Sequence, residues 1–334
     1  MPTIKDVAAL AGVSYTTVSH VINNSRPVSE TARIRVQAAI EKLRYVPSAV
    51  ARSLRHNATS TIGLLISNNT NPFFSELARG IEDACYRNSY SVLLCNSDDD
   101  PVRQEAYLKV MLERRIDGLI VSSTGHDPFL AARLQESGIP VVIVDRPLPE
   151  LDADVVLSDH YLGGQLAAKH LIEQGHRVIA FIGGPLDSSP TVERLDGFQA
   201  VLQESGLHLY SVLESDFSTE GGYKAARRLL RTLRPTAIFA GNDLIAIGAL
   251  RYATEQNIRV PEKLSIIGFD GIELGRYVHP AITTIDQCIR ELGELAAATL
   301  IRLMSKDPGT ASKHHILKPK LLLRESTGPS PVRG

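Results

Sequence analysis

From Thr61 onward the chain repeats one pattern, and this pattern restricts the possible folds more than any other feature. Short apolar runs rich in Val, Ile and Leu alternate with longer amphipathic segments. Such runs are typical of parallel strands that helices cover on both faces. The runs are residues 62–67, 92–96, 118–122, 141–145 and 155–158, then 178–183, 212–217, 237–241, 264–269 and 282–285. They predict two consecutive, doubly wound α/β lobes that divide near residue 160.

The first 45 residues have a helical periodicity instead, with three short amphipathic segments. Gly12 lies between the first two segments and supplies the backbone freedom of a tight turn, and Ser14 is a good N-cap for the second helix. The exposed face of that helix would carry Tyr15, Thr16, Thr17, Ser19 and His20. These side chains suit hydrogen bonds to base edges or contact with thymine methyl groups. The pattern predicts a helix-turn-helix DNA-binding head; an ordinary solvated three-helix cap is the alternative.

Charge is divided unevenly between the two parts of the chain. Residues 1–60 carry eight basic and three acidic side chains, which gives this part a net charge of +5. The whole chain has a net charge of −1, so residues 61–334 carry a net charge of −6. A cationic head on an anionic body favours phosphate contact at one end only.

Other sequence features argue against secretion, membrane insertion and metal binding. Cys85, Cys95 and Cys288 lack the spacing of metal ligands and are typical of thiols in a reducing cytosol. Asp6 interrupts the N-terminal stretch where a signal peptide needs apolar residues, and no apolar run approaches the length of a membrane span. We therefore expect a cytoplasmic protein without a metal or a cofactor.

Four segments of the head resemble the signature of the lactose-repressor family of bacterial transcriptional regulators. They are IKDVA at 4–8, GVS at 12–14, TVSHVIN at 17–23 and YVPSAVARSL at 45–54. The resemblance is dense over residues 3–57 and continues more sparsely to about residue 326. It implies a multi-domain repressor with a small all-α head and an α/β sensor like the periplasmic binding proteins.

The resemblance also implies roles for individual residues of the head. Bases would be read by Tyr15, Thr16 and His20, and phosphates would be held by Ser14, Thr17, Ser19 and Asn23. Residues 48–55, which include Arg55, would form a hinge helix that folds only on operator DNA. Leu54 would wedge between base pairs in the minor groove; a packing contact with the sensor is its alternative role.

Polar and aromatic residues follow the ends of many predicted strands. In open α/β sheets ligands bind beyond these carboxyl ends. The candidate effector residues are Asn71, Phe73, Phe74, Ser122, Asp145, Arg146, Arg194, Phe217, Asn242, Asp270 and Gln287. Carboxylates accept hydrogen bonds from sugar hydroxyls, guanidiniums donate to them and aromatic rings cover the C–H faces of a sugar. Taken singly, Asn242 could be only a helix N-cap and Phe217 only a core residue.

The cleft is similar to that of the bacterial ribose-binding transport proteins. The shared segments are NPFF at 71–74, DR at 145–146, ER at 193–194, GF at 197–198, ND at 242–243, GFDG at 268–271 and Gln287. Ser122 departs from the pattern, since those proteins have Asn there. Purine-responsive family members have Trp where this chain has Arg146, and a hydroxyl-bearing residue where it has Pro190. The resemblance implies a sugar effector, ribose or a similar pentose, with a purine co-repressor as the alternative.

These observations combine into one expected organisation. The head spans 1–46 and the hinge and linker 47–60. Sensor lobe 1 spans 61–160 and is completed by about 291–315, and lobe 2 spans 161–290 and is completed by about 316–328. A homodimer would bind a palindromic operator, and sugar would close the cleft, disturb the hinge helices and release the DNA.

Two other classes of protein are less compatible with the sequence. A sugar-transport receptor would need a signal peptide and would not carry a helix-turn-helix. An enzyme would be expected to show a motif such as a Gly-Lys-Ser/Thr phosphate loop, a Gly-x-Ser-x-Gly elbow or a His-Glu-x-x-His helix, and none occurs. The sequence therefore predicts a binding protein rather than an enzyme.

Overall fold

The computed structural model describes residues 2–46, 58–122, 127–305 and 314–331, and the chain divides into two compact units, Met1–Thr59 and Ser60–Gly334. The predicted hinge helix, with Leu54 and Arg55, lies outside the described residues.

The described residues of the first unit, 2–46 and 58–59, form the three helices α1 (Ile4–Ala11), α2 (Tyr15–Asn23) and α3 (Glu30–Leu43). Side-chain N-caps start each of them, and Gly12 ends α1 in the left-handed conformation at φ 62°. The helices enclose a small apolar core that includes Val7, Val18 and Val36, each with 0% exposure. The predicted helix-turn-helix is therefore formed by α1 and α2.

The described residues of the second unit form two six-stranded sheets. The first has the strand order β11-β5-β4-β3-β1-β2, and every pairing within it is parallel. Its strands are β1 (Thr61–Ile66), β2 (Ser91–Asn96), β3 (Gly118–Ser122), β4 (Val141–Val144), β5 (Asp154–Ser158) and β11 (His314–Leu317). The helices of this lobe are α4 (Pro72–Arg87), α5 (Pro101–Glu113), α6 (Pro128–Ser137) and α11 (Ile289–Met304). Apolar clusters lie on both faces of the sheet.

The second sheet has the strand order β12-β10-β9-β8-β6-β7. Its strands are β6 (Ile179–Gly183), β7 (Ser211–Glu214), β8 (Ala237–Ala240), β9 (Ser265–Asp270), β10 (Thr283–Asp286) and β12 (Lys320–Leu322). The helices are α7 (His160–Glu173), α8 (Ser189–Glu204), α9 (Thr219–Thr232) and α10 (Asp243–Glu255), with a short 3-10 helix at Glu273–Arg276. Apolar clusters again lie on both faces, so the prediction of two doubly wound lobes is confirmed.

The edge strand β12 departs from the predicted all-parallel arrangement. It pairs antiparallel with β10, placing Leu321 opposite Ile285. Only residues 318–319 separate β12 from β11, which belongs to the other sheet. Strand β11 runs parallel to β5 and ends at the side of its sheet that faces the other lobe. After two residues β12 therefore begins on that side and runs opposite to the strands of the second sheet that end there.

The chain passes between the lobes three times. The connections are at Asp159 between β5 and α7, at residues 287–288 between β10 and α11, and at residues 318–319 between β11 and β12. The carboxyl ends of parallel strands from both sheets face the space between the lobes. This topology places polar residues from two separate sheets around one cleft.

Candidate functional site

A cavity of about 120 Å³ lies between the lobes at the carboxyl ends of the two sheets. Ten of the eleven predicted effector residues line it, and Ser122 is the exception. The ten are Asn71, Phe73, Phe74, Asp145, Arg146, Arg194, Phe217, Asn242, Asp270 and Gln287. The strand-end pattern therefore predicted a set of residues that the fold brings together.

Ser122, unlike the other ten predicted residues, does not line the cavity. It is the last residue of β3 and is 3% exposed, and its hydroxyl has no hydrogen-bond partner among the described residues. Side chains of a strand alternate between the two faces of the sheet, so a position at a strand end does not by itself direct a side chain toward the cleft.

The first lobe contributes a carboxylate and a guanidinium from adjacent positions after β4. Asp145 is 5% exposed, and its Oδ2 lies 3.6 Å from Nε of Arg146. Burial raises the pKa of the Asp145 carboxyl, and the charge of Arg146 opposes that shift. The backbone of Asp145 has a φ of 75°, a region that residues other than Gly occupy rarely. Such strain is typical of functional sites.

The second lobe contributes a more deeply buried pair. Nη2 of Arg194 on α8 lies 3.7 Å from Oδ1 of Asp270 at the end of β9, and the same oxygen accepts a 2.7 Å hydrogen bond from Gln287. Burial raises the pKa of Asp270 to about 7, against the opposing charge of Arg194. Burial also lowers the pKa of Arg194. These donors and acceptors are withdrawn from water and are held in place for a polar ligand.

His160, the first residue of α7, supports Arg194 from behind the cavity lining and was missed by the sequence analysis. Nε of Arg194 donates to Nδ1 of His160 at 3.4 Å, and Nη2 of Arg194 lies 3.3 Å from the same His160 nitrogen. Burial and the Arg194 charge hold the pKa of His160 well below its ordinary value, so the ring is a neutral acceptor. Its position just beyond β5 was the available signal, since the other candidates also follow strands.

Aromatic rings line the cavity from both lobes. Phe73 and Phe74 meet edge to face, with ring centroids 5.0 Å apart. Phe217 lies across from them on the second lobe, and the Cζ atom of Arg146 is 6.0 Å from its ring centre. A ring-shaped ligand with apolar C–H faces would therefore find aromatic surface on two sides.

Asn242 combines two positions that the sequence left as alternatives, a helix N-cap and a residue of the cavity lining. Its Oδ1 accepts from the backbone N–H of Ile245 at 2.8 Å and so caps α10. Its Nδ2 donates to the backbone oxygen of Phe217 at 3.1 Å, and the side chain also lines the cavity. The capping bond thus fixes an amide that faces the cleft.

Several further polar residues of the lining were not predicted. They are Asn68, Thr70, Asp99, Asp216 and Ser218. All lie in loops after β1, β2 or β7. The prediction named Asn71, Phe73 and Phe74 after β1 and Phe217 after β7 but no residue after β2, and it passed over these polar neighbours in the same regions.

In the separate N-terminal unit, α2 exposes part of the predicted DNA-binding face. Tyr15 is 61% exposed, and Thr16 is exposed as well. Ser14 caps the helix by accepting from the backbone N–H of Thr17 at 3.1 Å. Nδ1 of His20 lies 2.9 Å from the hydroxyl of Ser25.

Ser19 does not fit its predicted phosphate contact. It is 5% exposed, and its hydroxyl accepts a 3.2 Å hydrogen bond from Nδ2 of Asn23. Ser19 and Val18 are the buried residues of α2, so the hydroxyl of Ser19 is withdrawn from the surface. Asn23 remains half-buried at the end of the helix.

The described part of the chain shows neither a cluster of metal-ligating side chains nor a helix that could span a membrane. No group of three or more His, Cys, Asp or Glu side chains could hold a metal ion within 2–46, 58–122, 127–305 and 314–331. Over the same part of the chain, every helix is too short or too polar to cross a membrane.

A helix-turn-helix unit and a two-lobed unit with a polar cleft together define a ligand-responsive DNA-binding regulator. Comparison with known families supports both parts. Residues 3–48 match the family described as bacterial regulatory proteins, lacI family, and residues 168–327 match the periplasmic binding protein-like domain.

Two relatives resemble the chain over nearly its whole length. The ribose operon repressor of Escherichia coli (strain K12) is 43% identical over 98% of this chain and 100% of its own. The HTH-type transcriptional repressor PurR of Yersinia enterocolitica is also 43% identical, over 100% of this chain and 99% of its own. The chain therefore belongs to the lactose-repressor (LacI) family and is a DNA-binding transcriptional repressor with a ligand-binding sensor.

Two solved structures show the same architecture. The lac repressor dimer bound to operator and the anti-inducer ONPF is 29% identical, with a TM-score of 0.89 over 98% of this chain and 99% of that chain. A LacI family regulator from Enterococcus faecium with bound ribose is 34% identical, with a TM-score of 0.74 over 80% of this chain and 99% of that chain.

Proposed function

We propose that this repressor binds a palindromic operator as a homodimer and is released by a small sugar, ribose or a similar pentose. The proposal rests on two pairs of opposite charges that line the cleft. Asp145 lies beside Arg146 in the first lobe, and Asp270 lies beside Arg194 in the second. Each hydroxyl of a polyol both donates and accepts, so a sugar could satisfy carboxylates and guanidiniums together.

The aromatic and amide residues support the same ligand class. Phe73 and Phe217 offer surface for the C–H faces of a sugar ring, and Asn242 and Gln287 add fixed amides. Among the relatives, the ribose operon repressor and the ribose-bound Enterococcus faecium regulator favour this ligand.

A purine co-repressor is the second candidate, because a PurR is equally similar in sequence. The cleft itself favours the sugar. Arg146 occupies the position where purine-responsive members have Trp, so a cation replaces a flat apolar surface. Pro190, which lines the cavity, stands where those members have a hydroxyl-bearing residue.

We infer a binding function rather than catalysis for this cleft. Both of its paired carboxylates lie within 3.7 Å of a guanidinium, an arrangement that suits recognition of hydroxyl groups. The relatives named above are repressors. A turnover assay with pentoses would test this inference, and any sugar product formed by the purified protein would contradict it.

In the proposed mechanism, the exposed Tyr15 and Thr16 read bases in the major groove. The basic balance of residues 1–60 strengthens contact with phosphates. Sugar bridges the two lobes, closes the cleft and lowers the affinity of the dimer for its operator. The ligand would thus act as an inducer.

The deciding experiment is a fluorescence-anisotropy titration of full-length protein with an operator fragment selected from random DNA. The titration is repeated with ribose, with related pentoses and with hypoxanthine. We expect a pentose to raise the operator Kd and hypoxanthine to leave it unchanged. Tighter operator binding with hypoxanthine would replace this proposal by the co-repressor alternative. Sedimentation of the free protein tests the homodimer.

A further inference from the structure

A turn of four residues, Asp270 to Glu273, connects the effector cleft to the first lobe. Asp270 lines the cleft at the end of β9. Two residues later, Ile272 is fully buried in the apolar cluster of the first lobe, together with Phe73. The backbone N–H of Glu273 then donates to Oε1 of Glu76 on α4 at 3.0 Å. One short segment of the second lobe therefore contacts both the ligand site and the other lobe.

The backbone of this turn has an unusual conformation. Asp270 has a φ of 111° and Gly271 a φ of 83°, both in the region that favours glycine. A residue other than glycine remains there only where the surroundings hold it. The carboxylate of Asp270 consequently depends on contacts made by the residues that follow it.

Asp243 supplies those contacts. Its side chain is 0% exposed, and its Oδ2 accepts 2.9 Å hydrogen bonds from the backbone N–H groups of both Gly271 and Ile272. Asp243 is also the first residue of α10, directly after the cleft residue Asn242. The start of α10 thus fixes the position of residues 270–273 relative to Asn242 on one side of the cleft.

The first lobe receives the turn on α4. The N-terminal end of this helix carries Phe73 and Phe74 into the cavity lining, and Glu76 follows within the same helical turn. Any shift of Asp270 must act on α4 through Ile272 and Glu76, because packed interiors transmit displacement rather than absorb it.

We propose that Asp243 and Glu76 are positioning residues of the effector response. Asp243 fixes the turn that presents Asp270, and Glu76 ties this turn to α4, so that occupancy of the cleft changes the position of the first lobe. The inference rests on the proposed function, since it requires an effector that contacts Asp270. A purely structural role would instead make both residues affect stability alone.

The Glu76→Ala variant separates transmission from binding. It removes the acceptor of the Glu273 N–H and leaves the cavity lining intact. Glu82→Ala is the matched control, since Glu82 lies on the same helix with a side chain that is 63% exposed. For each full-length protein the operator Kd is measured without ligand, with ribose and with hypoxanthine, and ligand Kd is measured by calorimetry.

We expect Glu76→Ala to keep its ligand Kd within about twofold of wild type, while the ligand-induced change in operator Kd becomes about fivefold smaller. Glu82→Ala should match wild type in both. A wild-type change in operator Kd for Glu76→Ala would overturn the inference. If the wild-type protein responds to hypoxanthine and not to ribose, the sugar proposal is refuted, but the comparison with Glu76→Ala still tests the turn. If the wild-type protein responds to neither compound, the sugar proposal and the inference about the turn are both overturned.

Asp243 is tested by a pair of substitutions. Asp243→Ala removes both hydrogen bonds and should weaken ligand binding about tenfold or more, because the Asp270 turn loses its support. Asp243→Asn should recover most of that loss, since its amide oxygen can accept from the same two N–H groups. Burial holds the pKa of Asp243 well above its ordinary value, so a neutral replacement suits the site. Equal ligand affinities for Asp243→Ala and wild type, or no recovery with Asn, would contradict the positioning role.

Discussion

Arg194 is held by groups from three different parts of the second lobe. It donates to the backbone oxygen of Gly241 after β8 and to His160 on α7, and it faces Asp270 at the end of β9. Its Cζ atom lies 3.9 Å from the centre of the Phe269 ring. A planar guanidinium lies flat on a ring and presents five N–H donors in a rigid fork, whereas the ammonium of lysine has three donors on a flexible stem and no plane to stack.

The Arg194→Lys substitution should therefore be far from conservative. We expect sugar affinity to fall by about 10- to 100-fold, with operator affinity in the absence of sugar unchanged. Calorimetry measures the sugar Kd, and anisotropy measures the operator Kd. Arg177→Lys is the control, because Arg177 is exposed and donates to backbone oxygens of the same lobe. An Arg194→Lys protein that binds sugar as wild type does would contradict this role for the guanidinium.

The raised pKa of Asp270 predicts a specific pH dependence of stability. Burial raises this pKa from 3.8 to about 7 in the folded protein. The folded state therefore holds the proton more tightly than the unfolded state. The stability gained in this way is fully present below the unfolded pKa and is lost as the pH rises through about 7.

Asp270→Asn cannot lose this proton and should lack that decline. Between pH 5 and 8 the free energy of unfolding of the variant, relative to wild type, should increase by about 2 kcal/mol. Urea titrations of the ligand-free proteins across this range measure the difference. Asp187→Asn, an exposed position of the same lobe, is the control. Parallel pH profiles for wild type and Asp270→Asn would show that the carboxyl of Asp270 does not titrate there.

The strand-end rule found ten residues that line the cleft, but it missed several lining residues of the loops and the residues that support the lining. Asp145 and Asp270 follow apolar strands, so their positions were visible in the sequence. His160 and Asp243 act behind the lining, and their partners come from other elements of the lobe. Such contacts depend on how elements pack in three dimensions, which a linear pattern of residues does not specify.

At the scale of elements, the packing of α7 against α8 fixes the position of Arg194. A Cβ atom added at Gly164 would collide with the backbone oxygen of Arg194, and one added at Gly197 would collide with the backbone oxygen of Tyr161. Each helix therefore places a glycine against the backbone of the other, which allows the two helices to pack closely. Neither backbone oxygen can move without shifting its helix.

Gly164→Ala should push α8 away and displace Arg194 from the cleft. We expect weaker sugar binding by about tenfold, together with a loss of stability of about 1 to 3 kcal/mol from overpacking. Gly206→Ala is the comparison. Gly206 follows α8 with a φ of 67°, and no atom lies within 4 Å of the Cβ that alanine would add, so this substitution should destabilise the protein through local backbone strain alone. Sugar affinity should fall only in Gly164→Ala. An equal loss in both variants would point to destabilisation as the cause.

In the N-terminal unit, α2 can be tested without disturbing the core. Tyr15 is 61% exposed at the start of this helix, so Tyr15→Ala removes a surface side chain. We expect operator affinity to fall by about tenfold or more, with sugar affinity unchanged. Ile34→Ala on α3, where Ile34 is 58% exposed, is the control for a lost surface hydrophobe. Operator binding by Tyr15→Ala at wild-type strength would remove Tyr15 from the recognition surface.

For the whole molecule, the sequence predicts the two lobes but not the complete strand arrangement. Apolar runs identify the strands because every buried parallel strand needs apolar side chains on both faces. Strands β11 and β12 are short, and each has exposed residues, so this signal is weak there. The reversal of β12 follows from its two-residue connection to β11, a constraint that appears only when both sheets are known.

Coupling between cleft and operator must be reciprocal if one molecule carries both sites. A sugar that raises the operator Kd by some factor requires that operator DNA raise the sugar Kd by the same factor. We expect that factor to lie at about 5- to 150-fold. Calorimetric titration of ribose into free protein and into protein saturated with operator measures one side, and anisotropy with and without ribose measures the other.

Two controls decide whether this coupling passes through the cleft. DNA of scrambled sequence should leave the sugar Kd unchanged at moderate salt, because it does not engage the heads specifically. Asp270→Ala removes a carboxylate of the cavity lining and should abolish the ribose effect on operator Kd while leaving operator affinity in the absence of sugar intact. Because reciprocity follows from thermodynamics alone, equal factors in the wild type do not locate the sugar. An Asp270→Ala protein that still releases its operator with ribose would therefore place the action of the sugar outside the cleft.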